Sequence, residues 1–413
     1  MKKSRREEML KPVQNVEVSD KHVALRVVFF VLAVVIAIGA FAYALIAILN
    51  VPNGWMQIEA SASEISAANE LSFYYYVSSE RGEARAEKNA VTQAYSEACV
   101  NVYRLFDAIT DNGNNVRAVN LNLNKAVSVA PALYQAFKTL SECDVKLLFM
   151  APIYERLSNI FYANGDYEAK QFDPSFNPVE KAFWDEVLTY INNPDDVSLD
   201  LLENNAVRLN VSEGYANYAE KNGIKNFVDF FHLKNAFVVD YVVDTLFAKG
   251  YKVGFVSSDD GFTRTLSGER SDVTVTLFDG VGGLPVACAQ LNFKQSLSAV
   301  NLHSFKIRAS EQYFYRYSDG TTVSPFVSYD GSSQTCLPFL FGYGFGVKCG
   351  DVLKDVLPLF TEEQLDVGKV TDLKERGIHT VYAVDKTVYY TQSDLGIQVN
   401  QSGEVKYEKQ FLE

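Results

Sequence analysis

Hydrophobic positions along the chain fall into three regimes. The first is a block: residues 27–49 (VVFFVLAVVIAIGAFAYALIAIL) run for 23 residues without a charge. At about 1.5 Å per residue, such a helix crosses a hydrocarbon core of about 30 Å. The second regime is helical. Between residues 84 and 110 the apolar positions Val91, Ala94, Ala98, Val102, Leu105 and Ile109 recur at steps of three and four. That spacing predicts a long amphipathic helix, ended by Asp111-Asn-Gly-Asn-Asn115. Pro131 opens a second helix through Leu140, and two more follow Pro178 and Pro194, so residues 131–205 are expected to be mainly helical. Residues 236–249 (AFVVDYVVDTLFAK) form another, with Gly250 as its left-handed exit. The third regime alternates. Residues 253–257, 272–278, 287–293, 323–329, 380–384 and 388–391 are predicted strands, with helices at 351–357 and 361–365. Runs of helix followed by runs of strand predict an α+β domain.

Charge gives the apolar block a direction. Lys2, Lys3, Arg5, Arg6, Lys11, Lys21 and Arg26 precede it, whereas the first basic residue after it is Arg81. The positive-inside rule then puts the N-terminus in the cytoplasm and the bulk of the chain outside. A cleaved signal peptide has a shorter apolar stretch and a shorter leader. The expected organisation is therefore a basic cytoplasmic segment 1–26, a single-pass transmembrane signal anchor 27–49, a polar tether 50–70, a main extracytoplasmic domain 71–390 and a tail 391–413. Beyond residue 50 the chain holds 31 basic and 47 acidic residues, a net charge of −16. No nucleic-acid partner fits that balance. Cys99, Cys143, Cys288, Cys336 and Cys349 lie at no metal-ligand spacing. Cys336 and Cys349 can either bridge a short excursion or sit apart as buried thiols. The four histidines, at 22, 232, 303 and 379, are too dispersed for a His-rich zinc site. Gly280-Val-Gly-Gly283 lies between predicted strands and reads as a turn rather than a phosphate loop.

The segment around residues 224–268 carries the chemistry. Asp229-Phe-Phe-His-Leu-Lys-Asn-Ala-Phe-Val-Val-Asp240, then a strand, then Val256-Ser-Ser-Asp-Asp-Gly261 resemble two blocks of the FAD:protein FMN transferase family, the ApbE-type flavin transferases. The family's blocks read D-L-G-G-I-A-K-G-Y-A-V-D and V-N-x-G-G-D. Residues 114–120 and 129–137, Ser310-Glu-Gln-Tyr313 with Arg316, and Cys349-Gly-Asp-Val-Leu-Lys-Asp355, similar to A-D-A-L-x-T, fall in the same order. The likeness spans most of residues 70–385. It implies a two-lobed flavin-transferase-like (ApbE-like) α+β fold, with FAD and magnesium as the associated groups. Carried over position by position, it implies cofactor binding at Asp229, Asn235, Asp240, Ser257 and Ser310, and metal ligation by Asp351, Asp355 and the Lys234 carbonyl.

The departures from the family pattern bear on activity. The glycine pair has become Phe231-His232, Asn235 stands at the family lysine with Lys234 one place early, and Pro325 stands at the family histidine. Glycines let backbone approach a diphosphate closely. Phe231 and His232 would crowd that approach, and Asp259 and Asp260 would repel the phosphates. His232 and Lys234 are the candidate catalytic replacements, although a histidine between Phe231 and Leu233 also fits a packed core. Asp351 and Asp355, four apart on one helix face, can present oxygens to a hard cation, or Asp351 can cap its helix while Asp355 faces water. The expected function is a degenerate, membrane-anchored flavin-transferase-like protein, a pseudoenzyme acting as a binding or scaffold module. Two alternatives stay open: an active divergent transferase that attaches FMN to Thr or Ser of a partner membrane flavoprotein, and a sensory or adhesion ectodomain unrelated to flavin.

Overall fold

The computed structural model describes residues 23–49, 53–61, 69–79, 83–144, 146–266, 273–309, 311–326 and 335–413. Its frame is a nine-stranded sheet: β1 (Gly54–Ile58), β2 (Leu71–Val77), β3 (Gly254–Ser258), β4 (Phe262–Thr265), β5 (Ser298–His303), β6 (Phe339–Gly344), β7 (Ile378–Val384), β8 (Thr387–Tyr390) and β9 (Glu408–Phe411). The strands neighbour one another in chain order. Every pair is antiparallel except β8 with β9.

Helices α2 (Ala84–Phe106), α4 (Lys234–Ala248) and α5 (Cys349–Phe360) cover one face of this sheet, and α3 (Ala151–Phe161) belongs to a helical insertion between β2 and β3. Strands 273–281, 284–293 and 396–399 form a smaller sheet against the other face. β6 is consequently buried on both sides, sending Leu340 into the helical core and Phe339, Phe341 and Tyr343 into the second core. Gly342 of β6 is obligatory for that packing, since a Cβ there would overlap the Val356 methyl of α5. The aromatic run FLFGYGF is thus core.

Several elements differ from the sequence expectation. Helix α2 ends at Phe106, before the Asn-Gly break, because the Asp107 carboxylate accepts from the amides of Ile109 and Thr110 and turns the chain early. The helix expected after Pro194 is instead a hairpin, Val197–Leu202 paired with Ala206–Val211. Asn204 and Asn205 supply its turn with φ of 59° and 55°. The segment read as a tether includes β1, whose Met56 and Ile58 turn to the core beneath β2. The presumed tail includes β9 and strand Gly396–Val399, both paired into sheets. Residues 361–365 are not helical; the helix is Val367–Glu375, capped by Asp366. Strand 323–329 is seen only as Thr322–Val323, its remainder from 327 lying outside the described residues. All five cysteines are free thiols, so Cys336 and Cys349 do not bridge.

Helix α1 (Val23–Leu49) covers the apolar block. Its side chains are described without interruption only over residues 27–42, all exposed. Among the described residues no helix is long and apolar enough to cross a membrane. The basic segment before residue 23 lies outside the described residues.

Candidate functional site

A cleft of about 720 Å³ opens where the turn after α2, helix α3, the start of α4 and the segment around Tyr313 converge. Asp229 organises its floor: its amide donates to the Leu148 carbonyl, and its carboxylate accepts from the Phe231 amide at 3.2 Å. That bond helps fold residues Phe231–Leu233 into a single 3-10 turn leading into α4. Burial pushes the Asp229 carboxyl above its ordinary range.

Phe231 has φ of 44°, a left-handed backbone that glycine adopts freely and that bulky residues adopt only at a cost. Its ring is held from two sides, stacked on Tyr154 at 4.7 Å and 11° and meeting Tyr313 edge-on at 4.9 Å. The backbone takes a conformation that glycine favours, while an aromatic ring fills the space above it. His232 points the other way. It packs edge-on against Tyr154 and Phe326, and burial pushes its imidazole down to about 3, so it is neutral. It lines none of the cleft, and Nδ1 has no partner among the described residues.

Lys234 does reach the cleft, with Nζ at 3.4 Å from Glu70 Oε2. Burial opposes its charge, but Tyr313, Glu70, Asp260 and Asp229 outweigh that and hold it protonated well above the ordinary range. A lysine held this way is not a proton acceptor at neutral pH. Asn235, one place on, donates Nδ2 to Glu70 Oε2 at 3.0 Å and to Asp260 Oδ2 at 2.8 Å. Burial pushes the Asp260 carboxyl up to about 7, and its Oδ1 is enclosed without a partner among the described residues. The carboxylates lining the cleft are Glu70, Asp107, Glu155, Asp229 and Asp259, against one cation, Lys234, among the described residues. This lining is unfavourable for a diphosphate.

Asp240 serves the fold instead. Its two oxygens accept from the amides of Cys349 and Gly350, each at 2.9 Å, and Oδ1 lies 3.1 Å from Arg264. The carboxylate therefore sits on the N-terminus of α5, and burial, only partly offset by Arg264, raises it to about 6. Gly350 permits the approach, because a Cβ there would meet the Phe237 ring at 2.9 Å. Ser257 lies away from the cleft, sharing a 2.7 Å hydrogen bond with Thr263 in a groove of about 780 Å³ beside the smaller sheet. Ser310 lies outside the described residues.

The proposed metal ligands are not assembled. Asp351 accepts from the Lys348 amide at 3.2 Å as the cap of its own helix, and Asp355 accepts from Arg376 at 2.6 Å. Neither lines the cleft. Lys234 is the first residue of α4, so its carbonyl lies along the helix, directed to the helix's own amides. Among the described residues, no group of three or more His, Cys, Asp or Glu is placed to hold a metal ion. These residues do not fit a magnesium site, and the floor does not fit FAD phosphates.

Residues that define the cleft beyond the expected set are Glu70, Tyr154 and Tyr313, with Asp260 beneath them. Tyr313 and Asp260 stand inside motifs quoted above. Glu70 and Tyr154 had no local signal, since they enter through β2 and α3 from distant parts of the chain.

No family profile and no curated protein sequence matches the chain. Solved structures do. The ApbE protein of Thermotoga maritima is 16% identical over 80% of this chain and 94% of its own, with a TM-score of 0.54. The flavin transferase ApbE of Vibrio cholerae is 9% identical over 84% of this chain and 97% of its own, with a TM-score of 0.52. The protein is thus an α+β chain built on a complete known scaffold, with a cleft between its helical insertion and its main sheet. That scaffold is the ApbE-type flavin-transferase fold. At these identities, what is shared is the fold.

Proposed function

We propose that this protein is a membrane-anchored, extracytoplasmic binding or scaffold module on the flavin-transferase fold, one that does not transfer FMN. The observation that carries the reading is Phe231. A left-handed backbone stands where the family pattern has glycine, and its ring is wedged between Tyr154 and Tyr313 where backbone would have to approach a diphosphate. Three further features support it: the acidic lining of the cleft, a neutral His232 turned away from it, and Asp351 and Asp355 engaged in a cap and an ion pair. Loss of one preorganised electrostatic contact commonly costs about 10²–10³ in rate, and here the phosphate approach, the metal and the base are all affected. Anchorage through residues 27–49, with the domain outside, rests on the charge asymmetry of the sequence.

The test is incubation of the detergent-solubilised full-length chain with FAD, magnesium and a flavoprotein acceptor domain, read by in-gel flavin fluorescence and intact mass. The expected result is an unmodified acceptor. Stoichiometric flavinylation that disappears in Asp351→Asn would overturn the reading.

A further inference from the structure

The cleft holds more negative charge than its own cations neutralise. Lys234 is matched by Glu70 at 3.4 Å, and Asp259 by Arg308 at 3.5 Å. Asp107, Glu155 and Asp229 remain, and among the described residues none of these three makes an ion pair. They come from separate elements: the turn after α2, the exposed side of α3, and the segment leading into the 3-10 turn. Burial, with the like charge of Asp107 added to it, raises the Asp229 carboxyl, and the Phe231 amide and Lys234 offset this only in part.

The walls carry an independent signal. Tyr154 is 2% exposed and lines the cleft, yet its hydroxyl makes no hydrogen bond among the described residues. The hydroxyls of Tyr95 and Tyr215 also lack partners, but those are sealed in the core. That of Tyr154 is open to the cleft and lies in the field of Asp229. A hydroxyl withdrawn from bulk water and left unpaired is unfavourable, so a ligand that bonds to it is favoured. Tyr103, Tyr162, Phe231 and Tyr313 add ring surface around it. Rings beside carboxylates attract an ammonium group twice over, through the ring quadrupole and through charge. The volume of about 720 Å³ falls within the range of about 300–1,000 Å³ typical of organic ligands. With no cluster of metal-ligating side chains among the described residues, the ligand these walls fit is an organic cation.

We propose that the cleft binds alkylammonium groups carried on a methylene chain, the chemistry shared by an aliphatic polyamine and by the lysine side chains of a basic peptide. The ammonium groups meet Asp107, Glu155 and Asp229, one of them donates to the Tyr154 hydroxyl oxygen, and the methylenes lie on the rings. The proposal rests on the binding-module reading above and names what the module binds.

The detergent-solubilised full-length chain is titrated calorimetrically at low ionic strength with spermidine, with an N-acetylated, C-amidated trilysine peptide, and with FAD. The expected result is saturable binding of an amine that weakens about tenfold in Asp107→Asn and in Glu155→Gln and about threefold in Tyr154→Phe. Asparagine at 107 keeps an oxygen for the Ile109 and Thr110 amides, and Glu155 is exposed, so these variants spare the fold. Affinity should be unchanged in Glu203→Gln, an exposed acid that does not line the cleft. Tighter binding of spermidine assigns a free polyamine and tighter binding of the peptide assigns the lysines of a partner; either supports the proposal. No saturable binding of either amine refutes it and, with an acceptor that stays unflavinylated, leaves the module reading standing. No weakening in the cleft variants, or equal weakening in Glu203→Gln, refutes it too, since diffuse attraction to a chain of net charge −13 then accounts for the heat. Saturable FAD binding with flavinylation of the acceptor refutes both readings.

Discussion

Phe231 allows a test in which the usual ranking of two substitutions inverts. In most positions glycine is less stabilising than alanine by about 0.5–1 kcal/mol, because the unfolded chain is freer. At a φ of 44°, any side chain bearing a Cβ carries a cost of about 1–2 kcal/mol that glycine lacks. Both Phe231→Gly and Phe231→Ala lose the ring and its contacts with Tyr154 and Tyr313. Truncating a fully buried phenylalanine costs about 3–5 kcal/mol, and since this ring is only partly buried, about half of that applies. The alanine variant should be destabilised by about 2 kcal/mol and the glycine variant by about 1 kcal/mol. In thermal melts of the detergent-solubilised chain, followed by near-ultraviolet circular dichroism, the order of melting temperatures should be wild type, then glycine, then alanine. The two variants should differ by about 2 °C for a chain of this size. If alanine melts above glycine, the left-handed backbone is refuted. If both match the wild type, the ring is not packed and the crowding argument against FAD loses its basis.

Asp260 and Asp240 give two further tests. The folded chain holds the Asp260 proton up to about 7, above the unfolded value near 4. Unfolding then releases that proton, so its contribution is fully present below about pH 4, is lost as the pH rises to about 7, and is level above that. Asp260→Asn should match the wild type at pH 4 and exceed it at pH 8 by up to a few kcal/mol in melting or denaturant titrations; parallel pH curves would exclude the buried acid. Asp240→Ala removes the acceptor for the Cys349 and Gly350 amides and the partner of Arg264, and should cost about 3–5 kcal/mol. A loss under about 1 kcal/mol would mean that Asp240 does not hold α5.

The class of fold and the likeness to flavin transferases were legible in the sequence, because both rest on local order. Apolar spacing marked α2, α4 and α5, and the block from Asp229 to Asp240 keeps its length and its terminal aspartates although its glycines are gone. Charge on either side of residues 27–49 likewise needs no structure to be read. What a residue does within that order depended on its neighbours in space. Asp240 and Asp351 look alike in the sequence as acids in a motif, but one clamps a helix start 109 positions away and the other caps its own. The strand β1 was hidden in a polar segment because an edge strand needs only Met56 and Ile58 to bury. The hairpin at 197–211 was missed because two asparagines with positive φ make a turn that proline-led helix spacing does not reveal. The cleft itself joins Glu70, Tyr154, Lys234 and Tyr313. Contacts at such separations are set by how the insertion folds back on the sheet, and no local periodicity encodes them.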